Sequence, residues 1–136
     1  MALITQPQQV RRIAREAEVV AVVGMSLNRE RSSYNIADRV RGLYRMYYVN
    51  PVYAGEEVRG ETILSSLREV PEHIDIVDVF RNPRHVAPIM EEAVAVGGDV
   101  VWLQPGSESP EVIDAYRDKI DIIAHACLGV VVAGLS

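Results

Sequence analysis

Apolar runs alternate with amphipathic stretches along most of this chain. The segment 19–24, VVAVVG, is continuously apolar and rich in β-branched residues, which is typical of a strand buried on both faces. Similar runs predict four further strands at 44–50, 74–80, 99–104 and 120–124. Between these runs, apolar residues recur at helical spacing, as Ile36, Val40 and Leu43 do.

Helix-boundary signals support this alternation. Asn82-Pro83 predicts an N-cap followed by proline at the first helical position, and Gly97-Gly98 predicts the end of that helix. Ser109-Pro110 is predicted to open the next helix. A further helix over 10–17 is expected before the first strand, from the spacing of its apolar residues.

Two segments are less regular. The stretch 51–73 contains Gly55 and Gly60 and predicts a loop with one helical turn near 65–69. The apolar tail 128–136, LGVVVAGLS, fits either a short helix or a strand.

Alternating strands and helices build a parallel sheet with right-handed crossovers. We therefore expect an α/β fold: a Rossmann-like, doubly wound parallel sheet of about five strands with helices on both faces. Residues 1–136 are enough for one domain and too few for two, with 1–18 forming an N-terminal helix that packs on it. Ligands of such sheets lie outside the carboxyl ends of the strands, so the residues that follow each strand are the candidate site.

The cysteine count and the lengths of the apolar runs indicate in which cell compartment the protein resides. Cys127 is the only cysteine, which excludes an internal disulfide and a cysteine-based zinc site. No apolar run reaches the roughly 18 residues of a membrane helix, and the N-terminus lacks the pattern of a signal peptide. We therefore expect a cytoplasmic protein without a membrane partner.

The charge is unevenly distributed. The net charge of −5 argues against nucleic acid as a partner. Residues 1–50 nevertheless hold eight arginines against four acidic residues, whereas 51–136 hold six basic and fifteen acidic residues. A strongly anionic ligand is therefore expected to contact the first third of the chain.

The turn after the first strand has features of a phosphate site. Gly24 allows close approach of the backbone to a pyrophosphate, and the helix that follows presents free amides. Arg29 or Arg31 can neutralise charge there, and Ser32 or Ser33 can cap the helix. The full G-x-G-x-x-G pattern is absent, so an ordinary strand-to-helix turn is the alternative.

The second strand ends in Asn50-Pro51, where NAD-binding Rossmann domains carry an acidic residue for the ribose hydroxyls. An acid would repel a phosphorylated ribose, whereas an asparagine does not. This position disfavours NAD and leaves coenzyme A (CoA) or another phosphoribosyl ligand open, with NADP not excluded. We expect Asn50 to be exposed at the rim of the sheet, so that Asn50→Asp would cost little stability.

Residues after the later strands extend this rim. Phe80 is predicted either to face an adenine or a pantetheine arm or to pack in the core, and Arg81 to face a phosphate. Trp102 is expected in the core. Asp78 lies inside a buried strand and needs a partner, for which Arg81 or a neighbouring helix is the candidate.

Catalytic groups are sparse. The three histidines, at 73, 85 and 125, are far apart and show no metal-binding spacing, so no metal site is expected. His125 and Cys127 would form a nucleophile only if their side chains faced each other, and a buried structural thiol is the ordinary alternative.

Several segments together resemble one family, the small single-domain CoA-binding proteins related to the CoA-binding domain of succinyl-CoA synthetase α subunits and of ADP-forming acyl-CoA synthetases. The similar segments are VVGMS (22–26), RSSYNI (31–36), VNPVYAGEEVRGE (49–61), DIVDVFRNP (75–83), VWLQPG (101–106) and Cys127-Leu128. The loop MSLNRERSS and the C-terminus HACLGVVVAGLS depart from the family's usual sequence.

The resemblance implies CoA or acyl-CoA bound across the strand ends by a non-catalytic binding or regulatory module. The implied site residues are Gly24, Met25, Ser26, Arg31, Ser33 and Tyr34 near the phosphates, Asn50, Pro51 and Tyr53 at the adenosine, and Val79, Phe80 and Arg81 on the other side. The alternatives are a small NAD(P)-dependent oxidoreductase or a nucleotide-sensing regulator. We also expect a homodimer and an unidentified protein partner.

Overall fold

In the described part of the chain, six strands form the central sheet, all of them parallel. The computed structural model describes residues 2–25, 32–40 and 42–135, and over 32–35 it describes the backbone alone. The strands of the sheet are β1 (Leu3–Ile4), β2 (Val19–Val23), β3 (Arg45–Val49), β6 (Ile76–Val79), β7 (Val100–Leu103) and β8 (Asp121–Ile123). Their order across the sheet is β1-β8-β7-β6-β2-β3. The order reverses at β2, whose neighbours are β3 on one side and β6 on the other, so the carboxyl end of β2 is the topological switch point.

Five α-helices formed by the described residues cover the two faces of this sheet. They are α1 (Pro7–Glu16), α2 (Ser32–Val40), α3 (Val86–Ala95), α4 (Pro110–Tyr116) and α5 (Leu128–Ala133). Helices α1, α2 and α5 pack on one face, where the buried side chains include Val22, Trp102 and Leu128. Helices α3 and α4 pack on the other, around Val77 and Met90. None of the helices in the described part of the chain is long and apolar enough to cross a membrane.

Short elements fill the stretch between β3 and β6. They are a 3-10 helix at Pro51–Tyr53, an antiparallel hairpin of β4 (Glu57–Val58) and β5 (Glu61–Thr62), and a 3-10 helix at Leu67–Glu69. A third 3-10 helix, Pro83–His85, leads into α3. The helical turn predicted near 65–69 is therefore present, whereas the hairpin was not predicted.

The α/β class and the doubly wound sheet are as predicted, and the sixth strand is the addition. Strand β1 has only two residues, pairs with β8 at the edge, and is too short to produce a periodicity. The apolar tail forms the helix α5, which packs between α1 and α2. Asn82 does cap a helix, but its side chain accepts from the amide of Arg84 in the 3-10 helix that precedes α3.

The partner of the buried Asp78 is not the one expected. Neither Arg81 nor a helix but Gln104, just beyond the neighbouring strand, donates to it, with 2.5 Å between Gln104 Nε2 and Asp78 Oδ1. Asp78 pairs with Trp102 in the sheet register, which places Gln104 two residues further on the same face. Burial raises the pKa of Asp78 to about 7, against a smaller opposing effect of this hydrogen bond.

Candidate functional site

The carboxyl ends of β2 and β6 approach each other closely at Gly24. The amide of Gly24 donates to the carbonyl of Val49, which continues the pairing of β2 with β3. Its φ is +92°, and a Cβ placed there would lie 2.3 Å from the carbonyl oxygen of Phe80 and 3.1 Å from Cδ of Arg81. Only glycine allows both this conformation and this contact. Glycine at this position therefore lets the ends of β2 and β6 lie in direct contact at the switch point.

Asn50 is buried rather than exposed, which corrects the sequence-based expectation. Its side chain is 6% exposed, and both ends of the amide are used. Oδ1 accepts from the amide of Val52 at 3.0 Å, which caps the 3-10 helix Pro51–Tyr53. Nδ2 donates to the carbonyl of Met25 at 2.9 Å and so ties the loop after β2 to the end of β3. Asn50 fixes the shape of the site as well as forming part of it.

We predict that Asn50→Asp lowers the free energy of unfolding by about 1–3 kcal/mol, because a carboxylate cannot donate to Met25 and would face its carbonyl oxygen in a buried place. Asn82→Asp is the matched control. Asn82 also precedes a proline and caps a 3-10 helix through Oδ1, but it is exposed. Urea unfolding of both variants checks this, and equal effects would contradict the role given to the Met25 contact.

A cavity of about 260 Å³ opens where β2, β3 and the start of α3 meet. Its lining combines an apolar floor with a few polar groups. The residues are Val23, Gly24, Val49, Asn50, Pro51, Ser65, Leu67, Arg81, His85, Pro88, Ile89 and Glu92. Such a combination is common in ligand sites, where apolar surface provides affinity and convergent polar groups provide orientation.

The basic groups of the cavity are Arg81 and His85. The backbone amide of Arg81 donates to the buried hydroxyl of Ser107 at 3.0 Å, which holds the residue where it follows β6. His85 ends the 3-10 helix that precedes α3. A guanidinium at this place matches the geometry of a phosphate group.

Glu92, the acidic residue in the described lining of the cavity, already accepts hydrogen bonds from other residues of the protein. It accepts from the hydroxyl of Ser66 at 2.8 Å and from the amide of Leu67. These bonds connect α3 to the 3-10 helix Leu67–Glu69. Ser65 likewise donates to Glu69. The cavity wall is therefore held together by these polar side chains.

The structure brings four of the predicted site residues into this cavity: Gly24, Asn50, Pro51 and Arg81. Four others contribute to the core. Met25 and Val79 are fully buried, while Tyr53 and Phe80 are partly buried against the layer beneath α1, α2 and α5. Ser26 and Arg31 lie outside the residues that the structure describes, and so do the side chains of Ser33 and Tyr34.

Sequence reasoning missed the contribution of α3 to the cavity. His85, Pro88, Ile89 and Glu92 follow one another at helical spacing and all line it. That spacing was visible in the sequence, but the apolar face of the helix, with Val86, Met90 and Ala93, gave the stronger pattern.

The residues considered for catalysis lie elsewhere along the carboxyl edge. Cys127 is partly buried and precedes α5. The nearby His125 has Glu108 as its charged neighbour, with 3.8 Å between Nδ1 and Oε2.

Trp102, predicted in the core, is fully buried and donates to the carbonyl of Ala126 at 2.9 Å.

Comparison with known proteins decides the family. The sequence profile of the CoA binding domain matches residues 18–133, which is most of the chain. The chain belongs to the CoA-binding domain family. This agrees with the resemblance in the strand-end segments and with a Rossmann-like sheet whose switch point carries a cavity.

Relatives of similar size match most of the chain. A Thermus thermophilus protein, cell-free ID.343, is 33% identical with a TM-score of 0.90, over 97% of this chain and 100% of that one. A hypothetical protein of Pyrococcus horikoshii is 27% identical with a TM-score of 0.90, over 99% and 96%. The uncharacterized protein YneT of Bacillus subtilis is 29% identical over 90% of each chain.

Proposed function

We propose that this protein binds CoA across the carboxyl ends of β2, β3 and β6, with the adenosine end in the cavity beside Arg81. The observation that carries the proposal is the position of Arg81 beside Gly24 in the lining of the cavity at the switch point. The guanidinium offers a cation to phosphates at the place where ligands of doubly wound sheets bind. Membership of the CoA-binding domain family supports the same ligand.

The chemistry of the cavity favours CoA over NAD. Asn50 stands where a dinucleotide-binding domain needs an acid, and its amide is committed to Met25 and Val52. Among the lining residues that the structure describes, the one carboxylate is that of Glu92, which is held by Ser66 and Leu67. The 3′-phosphorylated ribose of CoA therefore meets Arg81 and His85, with the apolar floor left for the adenine.

The volume of the cavity suits the nucleotide end alone, since whole drug-sized ligands occupy about 300–1,000 Å³. The pantetheine arm then extends along the carboxyl edge of the sheet, over β6 and β7. A second depression, of about 510 Å³, lies at the ends of β1 and β8, with Ile4, Ala124 and Val131 among its apolar lining. It is three strand spacings from β2, or about 14 Å.

We propose that this apolar depression receives the acyl group of an acyl-CoA. Titrating CoA and a medium-chain acyl-CoA side by side reports on it, since an acyl chain that buries its surface there must bind more tightly. Equal affinities would leave CoA itself as the ligand.

The role that fits these features is a binding or regulatory module. Two polar side chains of the described lining, Ser65 and Glu92, hold the wall together: Ser65 donates to Glu69, and Glu92 accepts from Ser66 and Leu67. A nucleophile or general base needs a free lone pair directed at the substrate. Any chemistry on the thioester is then the task of a partner protein in the cytoplasm.

We predict that Arg81→Gln weakens CoA binding by roughly tenfold to a hundredfold, because it removes a charge-assisted contact to phosphate worth about 1.5–3 kcal/mol. Arg84→Gln is the matched control, since Arg84 follows in the same turn, is exposed, and does not line the cavity. Calorimetric titration at two salt concentrations separates the two variants. If both weaken binding equally, the phosphate does not lie at Arg81.

A further inference from the structure

A cluster of side chains that can ligate a metal ion lies at the amino edge of the sheet, opposite the proposed CoA site. His73 and Asp75 precede β6, and Asp99 precedes β7. The register pairs Ile76 with Val100, so the residues just before them are neighbours in space although 24 positions separate them in sequence. A search for histidine spacing along the sequence therefore could not find this cluster.

The geometry of the cluster is close to that of a metal site. Nε2 of His73 lies 3.0 Å from Oδ1 of Asp99 and 3.9 Å from Oδ1 of Asp75. The three ligand atoms all lie within 4.8 Å of one another. Two ligands of a tetrahedral ion with bonds of about 2.1 Å are about 3.4 Å apart, between the two observed distances. The 3.0 Å contact is a hydrogen bond between His73 and Asp99, and a bound ion would take the place of its proton.

Asp75 is already oriented for this role. Its Oδ2 accepts from the backbone amides of Glu18 and Val19, both at 2.9 Å, at the start of β2. These bonds fix the carboxylate and leave Oδ1 on the side of His73. Hydrogen bonds of this kind commonly hold the ligands of bound metals in position.

We propose that His73, Asp75 and Asp99 form a binding site for a divalent transition-metal ion of the zinc type. One imidazole nitrogen and two carboxylate oxygens are ligands that Zn²⁺ accepts. The side chains of His73 and Asp99 are more than half exposed, so water completes the coordination. The ion would join β6, β7 and, through Asp75, the start of β2. Such a site would differ from the sequence-based expectation of no metal site, and it does not depend on CoA binding.

The test is a calorimetric titration of Zn²⁺ into untagged protein that carries Cys127→Ser, so that the thiol cannot contribute. One ion per chain is expected. His73→Gln and Asp99→Asn should each weaken binding about tenfold or more, since each removes one of three protein ligands.

The control is His125→Asn. It removes another exposed histidine beside a carboxylate, and asparagine tolerates the positive φ of 62° found there. It should bind Zn²⁺ as the parent protein does. Thermal unfolding without metal shows that each variant is folded. Absence of Zn²⁺ binding by the parent protein, or binding unchanged in folded His73→Gln, would overturn the proposal.

Discussion

Asp78→Asn is expected to raise the free energy of unfolding at pH 8 by about 2–4 kcal/mol, and to raise it less at pH 5. Asp78 is fully buried, and among the described residues its Oδ2 and the Oε1 of Gln104 have no hydrogen-bond partner. An asparagine can donate to Gln104 and accept from it at once, which satisfies both atoms without a charge.

The sign of the pH dependence follows from linkage. The pKa of Asp78 is about 7 in the folded protein against an ordinary value of 3.8, so between these values the folded state holds a proton that the unfolded state has lost. The contribution of Asp78 to stability is therefore full below pH 3.8 and is lost as the pH rises towards 7. The variant Asp78→Asn does not lose stability in this way, because asparagine does not ionise.

Urea unfolding at pH 5, 6, 7 and 8 measures the difference between variant and wild type. Asp118→Asn, a change at an exposed carboxylate, is the control and should change the free energy of unfolding by less than about 0.5 kcal/mol. A constant difference for Asp78→Asn would mean that Asp78 is ionised throughout this range.

Gly24→Ala is expected to lower the free energy of unfolding by about 3 kcal/mol and to weaken CoA binding more than tenfold. A positive φ costs a residue with a Cβ about 1–2 kcal/mol, and forced overpacking adds about 1–3 kcal/mol. Here the added atom meets the backbone oxygen of Phe80 at 2.3 Å, which no side-chain rotation relieves. The end of β6 must move, and Arg81 moves with it.

Gly55→Ala isolates the conformational part of this effect. Gly55 has a φ of +89°, close to that of Gly24, but nothing lies within 4 Å of an added Cβ. We expect a loss of about 1–2 kcal/mol and unchanged CoA binding. Unfolding and titration of both variants provide the comparison. Similar results for the two glycines would show that the contact between β2 and β6 has no special weight.

The sequence predicted the five longer strands because each is a short and mostly apolar run, and β2 and β7 are apolar on both faces. It could not predict β1, whose two residues derive their structure from the edge of β8 alone. Nor could it decide the form of the tail, because α5 is helical where it packs between α1 and α2. These elements depend on tertiary contacts more than on local pattern.

The same distinction holds for the site. Gly24 and Arg81 were predicted from their places after strands, and the cavity contains both. The burial of Asn50 was not predicted, because it depends on a hydrogen bond to the carbonyl of Met25, 25 positions away in sequence. Gln104 was missed as the partner of Asp78 because their contact requires the pairing of β6 with β7.

We propose the strand-end cavity as a CoA site. A calorimetric comparison of CoA, 3′-dephospho-CoA and NAD⁺ tests this proposal most directly. We predict one CoA per chain with a dissociation constant in the micromolar range or below. Dephospho-CoA should bind about tenfold more weakly because it lacks the phosphate placed beside Arg81, and NAD⁺ more weakly still. NAD⁺ binding as tightly as CoA, or no CoA binding by the folded protein, would contradict the claim.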